Sequence, residues 1–115
     1  MGLRKMVATD LGMAQTQAYL NRGFVVMASG SGSASYTMAT DPNMMVTITD
    51  VLISGSGTFT ISEGGETVLS VDVNGSLVFS PKAFLNLDLK NQVVFSLTGG
   101  SGQVKMNIIG FFVRK

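Results

Sequence analysis

The side chains that could carry chemistry in this 115-residue chain are carboxylates and hydroxyls, because the sequence contains no cysteine and no histidine. This composition excludes disulfide bonds, thiolate nucleophiles, Cys/His zinc sites and imidazole bases. Glu63, Glu66 and Asp72 lie close together and raise the question of a calcium site. However, Gly64-Gly65 marks a turn and the EF-hand spacing is absent, which favours a solvated loop.

No other constellation points to a reaction. Asp50 and Asp72 cannot be identified as a glycosidase pair, because the sequence gives neither their separation nor a cleft. Three Gly-Ser-Gly stretches lack the glycines or lysine of a phosphate-binding loop and are interpreted as turns. We predict no catalytic residue, no metal site and no cofactor, and therefore a protein that is not an enzyme.

Asn74-Gly75-Ser76 matches a glycosylation acceptor and is also a turn signal. Asn-Gly is typical of a type I′ turn, in which both central residues need a positive φ. The sequence therefore predicts a β-hairpin at this point.

Charge gives little indication of a highly charged partner. Eight basic and seven acidic residues give a formal net charge of +1, and charged residues make up 13% of the chain, about half of the usual fraction. A nucleic-acid-binding protein is expected to be more basic. No apolar run approaches the ~18–20 residues of a membrane span. We predict no nucleic-acid partner and no membrane, and a low surface charge that favours oligomers.

The chain divides into two regions. Residues 1–22 show no β alternation and are predicted to form an arm or a short helix, with Gly23 as its C-terminal cap. Arg4 and Lys5 are predicted arm contacts with a neighbouring subunit or an acidic surface. The alternative is that they are solubilising charges at a frayed terminus.

Residues 23–115 are predicted to be one β domain of the jelly-roll or β-sandwich class, with about eight antiparallel strands. Within Met44–Ser54 the alternation slips near Asp50, which predicts a bulge or a bend and places Val46 and Ile48 on the opposite face from Val51 and Ile53. The candidate strands are Phe24–Ala28, Ser35–Thr40, Met44–Ser54, Thr58–Ser62, Thr67–Val73, Ser76–Ser80, Leu85–Lys90, Gln92–Thr98 and Gln103–Val113.

The last candidate strand is apolar on both faces towards its end. Val104, Met106 and Ile108 alternate with a second set made of Ile109, Phe111 and Val113. Left uncovered, such a segment is an aggregation hazard. We predict that Ile109, Phe111 and Val113 form a subunit interface; the alternative is that a loop of the same domain covers them.

The N-terminal arm, the Gly/Ser/Thr-rich strands, Asn74-Gly75, Pro81 and the closing GQVKMNIIGFFV strand together resemble small jelly-roll structural proteins of tailed bacteriophages, of the capsid decoration or cement type. This resemblance implies a trimer that binds the major capsid protein or another virion protein. It also implies a location in the virion after synthesis in the host cytoplasm. The alternative is a carbohydrate- or receptor-binding β-sandwich of a phage tail or fibre, in which Tyr19 or Tyr36 would stack on a sugar.

Overall fold

The computed structural model describes residues 21–81 and 85–115. The predicted arm contacts Arg4 and Lys5 therefore lie outside the described residues. Within the described ranges the chain forms nine β-strands and no helix, so none of these residues belongs to a helix that could cross a membrane. The strands are β1 (Asn21–Ser31), β2 (Ala34–Thr37), β3 (Met44–Ser54), β4 (Gly57–Glu63), β5 (Glu66–Val73), β6 (Ser76–Phe79), β7 (Leu85–Asp88), β8 (Val93–Thr98) and β9 (Gln103–Arg114).

The strands form two antiparallel sheets. In the five-stranded sheet the order is β1-β9-β3-β6, and β7 also pairs with β3; the four-stranded sheet has the order β2-β8-β4-β5. Apart from the β4–β5 hairpin and the β6–β7 connection, each link between consecutive strands passes from one sheet to the other. With β6 and β7 sharing one position, this is the architecture of an eight-position jelly roll. The predicted all-β sandwich is confirmed.

The hydrophobic core lies between the inner faces of the two sheets. Alternate residues of a strand point to opposite faces, so an alternating strand buries one set of side chains and exposes the other. Phe59 and Ile61 of β4 and Phe95 and Leu97 of β8 are fully buried in this way. Each fully buried side chain of this size stabilises the fold by about 1.5–3 kcal/mol relative to the exposed state.

A β-bulge in β3 explains the slip in its alternation. Ile48 pairs with Gly110 and Asp50 pairs with Ile109, which leaves Thr49 as an extra residue. The predicted bulge is confirmed, but the predicted opposition of its two apolar pairs is wrong, because the extra residue restores the phase. The side chains buried in the core on either side of the bulge are Val46, Ile48, Val51 and Ile53.

The turn at Asn74-Gly75 is a corner between the sheets. Gly75 has a positive φ of 88°, as the sequence predicts, but β5 pairs with β4 and β6 pairs with β3. The hairpin prediction is therefore wrong: only an isolated bridge joins Asn74 to Ser76. A positive φ defines the turn locally, whereas the apolar faces of the following strand decide which sheet it joins. The two-residue hairpin lies instead at Gly64-Gly65, between β4 and β5.

The three Gly-Ser-Gly stretches link β1 to β2, β3 to β4 and β8 to β9. They are turns, as predicted, and they pack against one another. Gly32 N donates to Gly102 O at 2.7 Å, and Gly100 N donates to Gly32 O at 3.0 Å. A Cβ at Gly100 would collide with the carbonyl oxygen of Ser56, so this close approach requires glycine.

Candidate interaction surface

The two faces of β9 have different environments. Val104, Met106 and Ile108 are buried in the core, whereas Ile109, Phe111 and Val113 are half-buried on the opposite side. This is the alternation that the sequence predicts for the last strand. The second set faces away from the four-stranded sheet, where no other described strand covers it.

Neighbouring strands continue this face sideways in register. Val25 of β1 lies opposite Ile109, and a second row runs from Met27 through Asn107 and Leu52 to Val78. We call this surface the outer apolar face. Its apolar members are Val25, Met27, Met45, Leu52, Val78, Ile109, Phe111 and Val113.

Exposure separates this face from ordinary surface hydrophobics. Val25, Met27 and Val78 are 69%, 62% and 74% exposed, and they account for three of the four large exposed hydrophobic side chains in the described part of the chain. The fourth, Val68, lies at the bulge of β5 in the other sheet. Strand geometry gives the outer apolar face an outline of about 500 Å². Exposed apolar patches of this size on monomers are often interaction sites.

Two pairs of polar side chains on this face are hydrogen-bonded to each other. Ser80 Oγ donates to Asp50 Oδ1, and Thr47 Oγ1 donates to Asn86 Oδ1 at 2.6 Å. Thr47 is only 3% exposed. Because a neutral polar group is costly to bury only when it lacks a hydrogen bond, the Thr47–Asn86 pair does not oppose an apolar contact.

An ion pair lies at the border of the face. Lys115 Nζ is 2.6 Å from Asp88 Oδ1, in the row that contains Val113 and Met45. The hydrogen bond from Lys115, followed by the bond from the backbone N–H of Lys90, holds the pKa of Asp88 below its usual value of 3.8. Asp88 therefore stays ionised at neutral pH and keeps the C-terminal residue against β7.

The outer face of the four-stranded sheet has a different composition. One row across its four strands consists of Ser35, Ser96, Thr60 and Ser70. Thr60 Oγ1 and Ser96 Oγ are 2.8 Å apart and share a hydrogen bond. We call this surface the hydroxyl face. It also carries Thr37, Thr58, Ser62, Thr67, Asp72, Val94 and Thr98.

A cavity of about 330 Å³ opens at the end of the sandwich where β1 begins. Tyr36, Asp41, Met44, Leu89 and Phe112 are among its lining residues. This volume lies at the lower end of the range for small-molecule sites. Tyr36 is the residue that the sequence proposes for sugar stacking; Tyr19 lies outside the described residues.

The acidic residues considered from the sequence do not converge. Asp50 lies on the outer apolar face and Asp72 on the hydroxyl face, on opposite sides of the molecule. Glu63 is not part of a solvated loop: its Oε2 accepts the backbone N–H of Asp88 at 2.8 Å. In residues 21–81 and 85–115, no group of three acidic side chains could hold a metal ion.

Sequence reasoning identified three members of the outer apolar face and missed the other five. Val25 and Met27 had a usable signal, because GFVVMA leaves both faces of β1 apolar. Val78 had none, since an apolar residue in a short strand is ordinarily assigned to the core. Its outward direction follows from the register of β6 against β3.

Comparison with known proteins gives a structural likeness. No family model matches the chain, and no curated protein matches it either. The fold is similar to the core of the Drosophila protein NLP, whose crystal structure is described as giving insight into pentamer formation and histone binding. The TM-score is 0.51 at 14% identity, over 79% of this chain and 97% of that chain. At this identity the likeness concerns the fold alone.

Proposed function

We propose that this chain is a non-enzymatic structural protein that assembles with copies of itself through the outer apolar face. The observation that carries the proposal is the exposure of Val25, Met27 and Val78 on one continuous surface with Ile109 and Phe111. Covering apolar surface is favourable by about 25 cal/mol per Å². A partner surface that fits this face therefore provides the driving force for association.

The assembly that we propose is the virion of a tailed bacteriophage, in which the protein decorates and stabilises the capsid. Three features support this proposal: the jelly-roll fold, the low charge and an apolar face that no described strand covers. Many copies bound to one shell would add avidity to a contact of moderate size. We expect three copies per oligomer, the number that the sequence resemblance implies.

The Drosophila neighbour is described as a pentamer, which supports self-association of this fold but favours a different number of copies. Sedimentation equilibrium distinguishes three copies from five. We do not extend histone binding to this chain. A histone is basic and favours an acidic surface, whereas this chain has a formal net charge of +1.

Val78→Lys tests the self-association. The substitution places a charge at a position that is 74% exposed in the single chain, so the isolated domain should fold normally. In the oligomer the charge would be buried without a partner, which we expect to weaken association about tenfold or more. The matched control is Thr98→Lys, at an exposed position of the hydroxyl face, which should sediment like the wild type.

A wild-type chain that sediments as a monomer at micromolar concentration would contradict the proposal. Equal masses for both lysine variants and the wild type would show that the outer apolar face is not the contact. Binding to shells of the parent particle that lack this protein tests decoration separately. We expect saturable, stoichiometric binding and a higher temperature of shell rupture.

A glycan- or receptor-binding protein is the second candidate. The cavity beside Tyr36 favours it, because Tyr36, Thr40 and Asp41 are all among the residues that line the same opening. In that case Tyr36→Ala abolishes saturable glycan binding, while Val78→Lys leaves it unchanged.

A further inference from the structure

The free edge of β1 differs from the other open edges of the two sheets. Strands β2, β6 and β7 are edges of four residues each. The remaining edge, β5, contains Glu66 and Asp72 and is interrupted by a bulge at Val68. Short length, charge and bulges are the features that protect edge strands from pairing.

Strand β1 has none of these protections between Gly23 and Ser31. It is 11 residues long, pairs with β9 without a register shift, and contains no charged residue and no proline in this stretch. Within the described residues, β9 is its only paired strand, and no backbone hydrogen bond from another described segment reaches it. A long, uncharged edge of this kind is a template for another strand.

The direction of the unpaired groups follows from two hydrogen bonds. Gly32 and Gly102 continue the pairing of β1 with β9 by one residue, and Gly32 N donates to Gly102 O. In an antiparallel ladder every second pair of opposite residues is hydrogen-bonded in this way. On the far side of β9, the carbonyl of Ile109 accepts a bond from Thr49 Oγ1 of β3. Even-numbered residues of β1 therefore bond to β9, and the N–H and C=O groups of Val25 and Met27 point to the open side.

We propose that β1 pairs with β1 of a second copy of this chain, antiparallel and edge to edge. The second copy is favoured because the other described edges are short, charged or bulged, so the complementary edge within this protein is β1 itself. An antiparallel pair of identical strands has two-fold symmetry and closes on itself. The pairing joins two five-stranded sheets into one and makes their outer apolar faces continuous. It is separate from the contact proposed above, which uses side chains and not backbone groups.

Two substitutions at one position test the backbone contact while keeping the side chain apolar. Val25→Pro removes an N–H that faces the open side, keeps an apolar side chain and leaves the ladder with β9 complete; proline is tolerated at such edge positions. Val25→Ile keeps both the N–H and an apolar, β-branched side chain, so it is the matched control. Because the two-fold edge contact would double an oligomer held by the outer apolar face, we expect the proline variant to sediment at half the wild-type mass or less, and the isoleucine variant to keep the wild-type mass.

An equal loss of mass in Val25→Ile would overturn edge pairing, because that variant keeps all the backbone groups of β1. A wild-type mass for Val25→Pro would also overturn it. Conversely, a normal mass for Val78→Lys together with dissociation of Val25→Pro would support edge pairing while rejecting the outer-face contact.

Hydrogen exchange of the wild type decides the matter if Val25→Pro fails to fold. Edge pairing predicts that the amides of Val25 and Met27 are protected at high protein concentration and lose about tenfold or more of that protection on dilution. Fast exchange at all concentrations would overturn the proposal. Protection that does not depend on concentration would also overturn it, since it would mean that a segment of the same chain, such as residues 1–20, occupies the edge.

Discussion

The two outer faces of the sandwich are built on the same pattern of alternating strands but carry different side chains. On the four-stranded sheet, a row of hydroxyls runs from Ser35 to Ser70, whereas the five-stranded sheet carries Val25, Ile109 and Phe111 at comparable places. The hydroxyl face is what an antiparallel sheet in contact with water requires. The outer apolar face carries more apolar side chains than such a sheet requires, and this difference is the basis of the contact proposed above.

The inner faces show that the fold does not need this additional apolar surface. Among the residues that the structure describes, the buried cluster contains 17 hydrophobic residues, and none of the outer apolar face belongs to it. Removing apolar groups from the outer face should therefore change association more than it changes the stability of the single chain.

The largest expected effect is on the free energy of unfolding, in a comparison of Phe95→Ala with Phe111→Ala. Phe95 is fully buried between the sheets, so its truncation should destabilise the fold by about 3–5 kcal/mol. Phe111 is half-buried on the outer apolar face, and its truncation should cost about 1–2 kcal/mol in dilute solution. Urea denaturation at a concentration where the chain is monomeric measures both. Equal losses would mean that Phe111 acts as a core residue.

An intermediate effect is expected for a glycine in β9. Gly110 is buried, and a Cβ there would collide with the carbonyl oxygen of Thr47 across the bulged region of β3. Gly110→Ala should therefore force β3 and β9 apart and cost about 1–3 kcal/mol. The control is Gly23→Ala in β1, where the nearest atom would be at an ordinary 3.8 Å. Thermal unfolding should separate the two variants; a neutral Gly110→Ala would show that the strands adjust freely.

The smallest expected effect concerns the ion pair at the border of the outer apolar face. Because the folded-state pKa of Asp88 is lowered below 3.8, the pair contributes stability above that value and loses it as the pH falls through the folded pKa. Lys115→Met should raise the pKa of Asp88 towards 3.8. An NMR titration of the Asp88 carboxyl measures this change. An unchanged pKa would show that Lys115 is not the cause of the shift.

The sequence predicted the strands well because each depends on local alternation. Phe59 and Ile61, and Val93, Phe95 and Leu97, face the core as their spacing indicates. The bulge in β3 was equally visible, as a slip in phase. The direction of the side chains after the bulge could not be predicted in the same way. Whether Val51 and Ile53 point to the same face as Val46 and Ile48 depends on the register of β3 against β9.

The sheet to which each strand belongs could not be predicted from the sequence either, because it also depends on pairing between strands that are distant in the chain. Asn74-Gly75 has the chemistry of a hairpin turn, yet the strands on either side belong to different sheets. The predicted interface at Ile109, Phe111 and Val113 extends over neighbouring strands that are remote in sequence, and register alone brings Val25 and Val78 to it. The role of these residues as a subunit contact stays a prediction, as do the predicted contacts of Arg4 and Lys5.

The hydroxyl face gives the molecule a side that can be modified without touching the proposed contacts. Since the chain contains no cysteine, Ser70→Cys would introduce a unique thiol at an exposed position of β5. A dye or biotin attached there would point away from the outer apolar face. A biosensor surface loaded through this handle would present every molecule in one orientation, ready to capture its next subunit from solution.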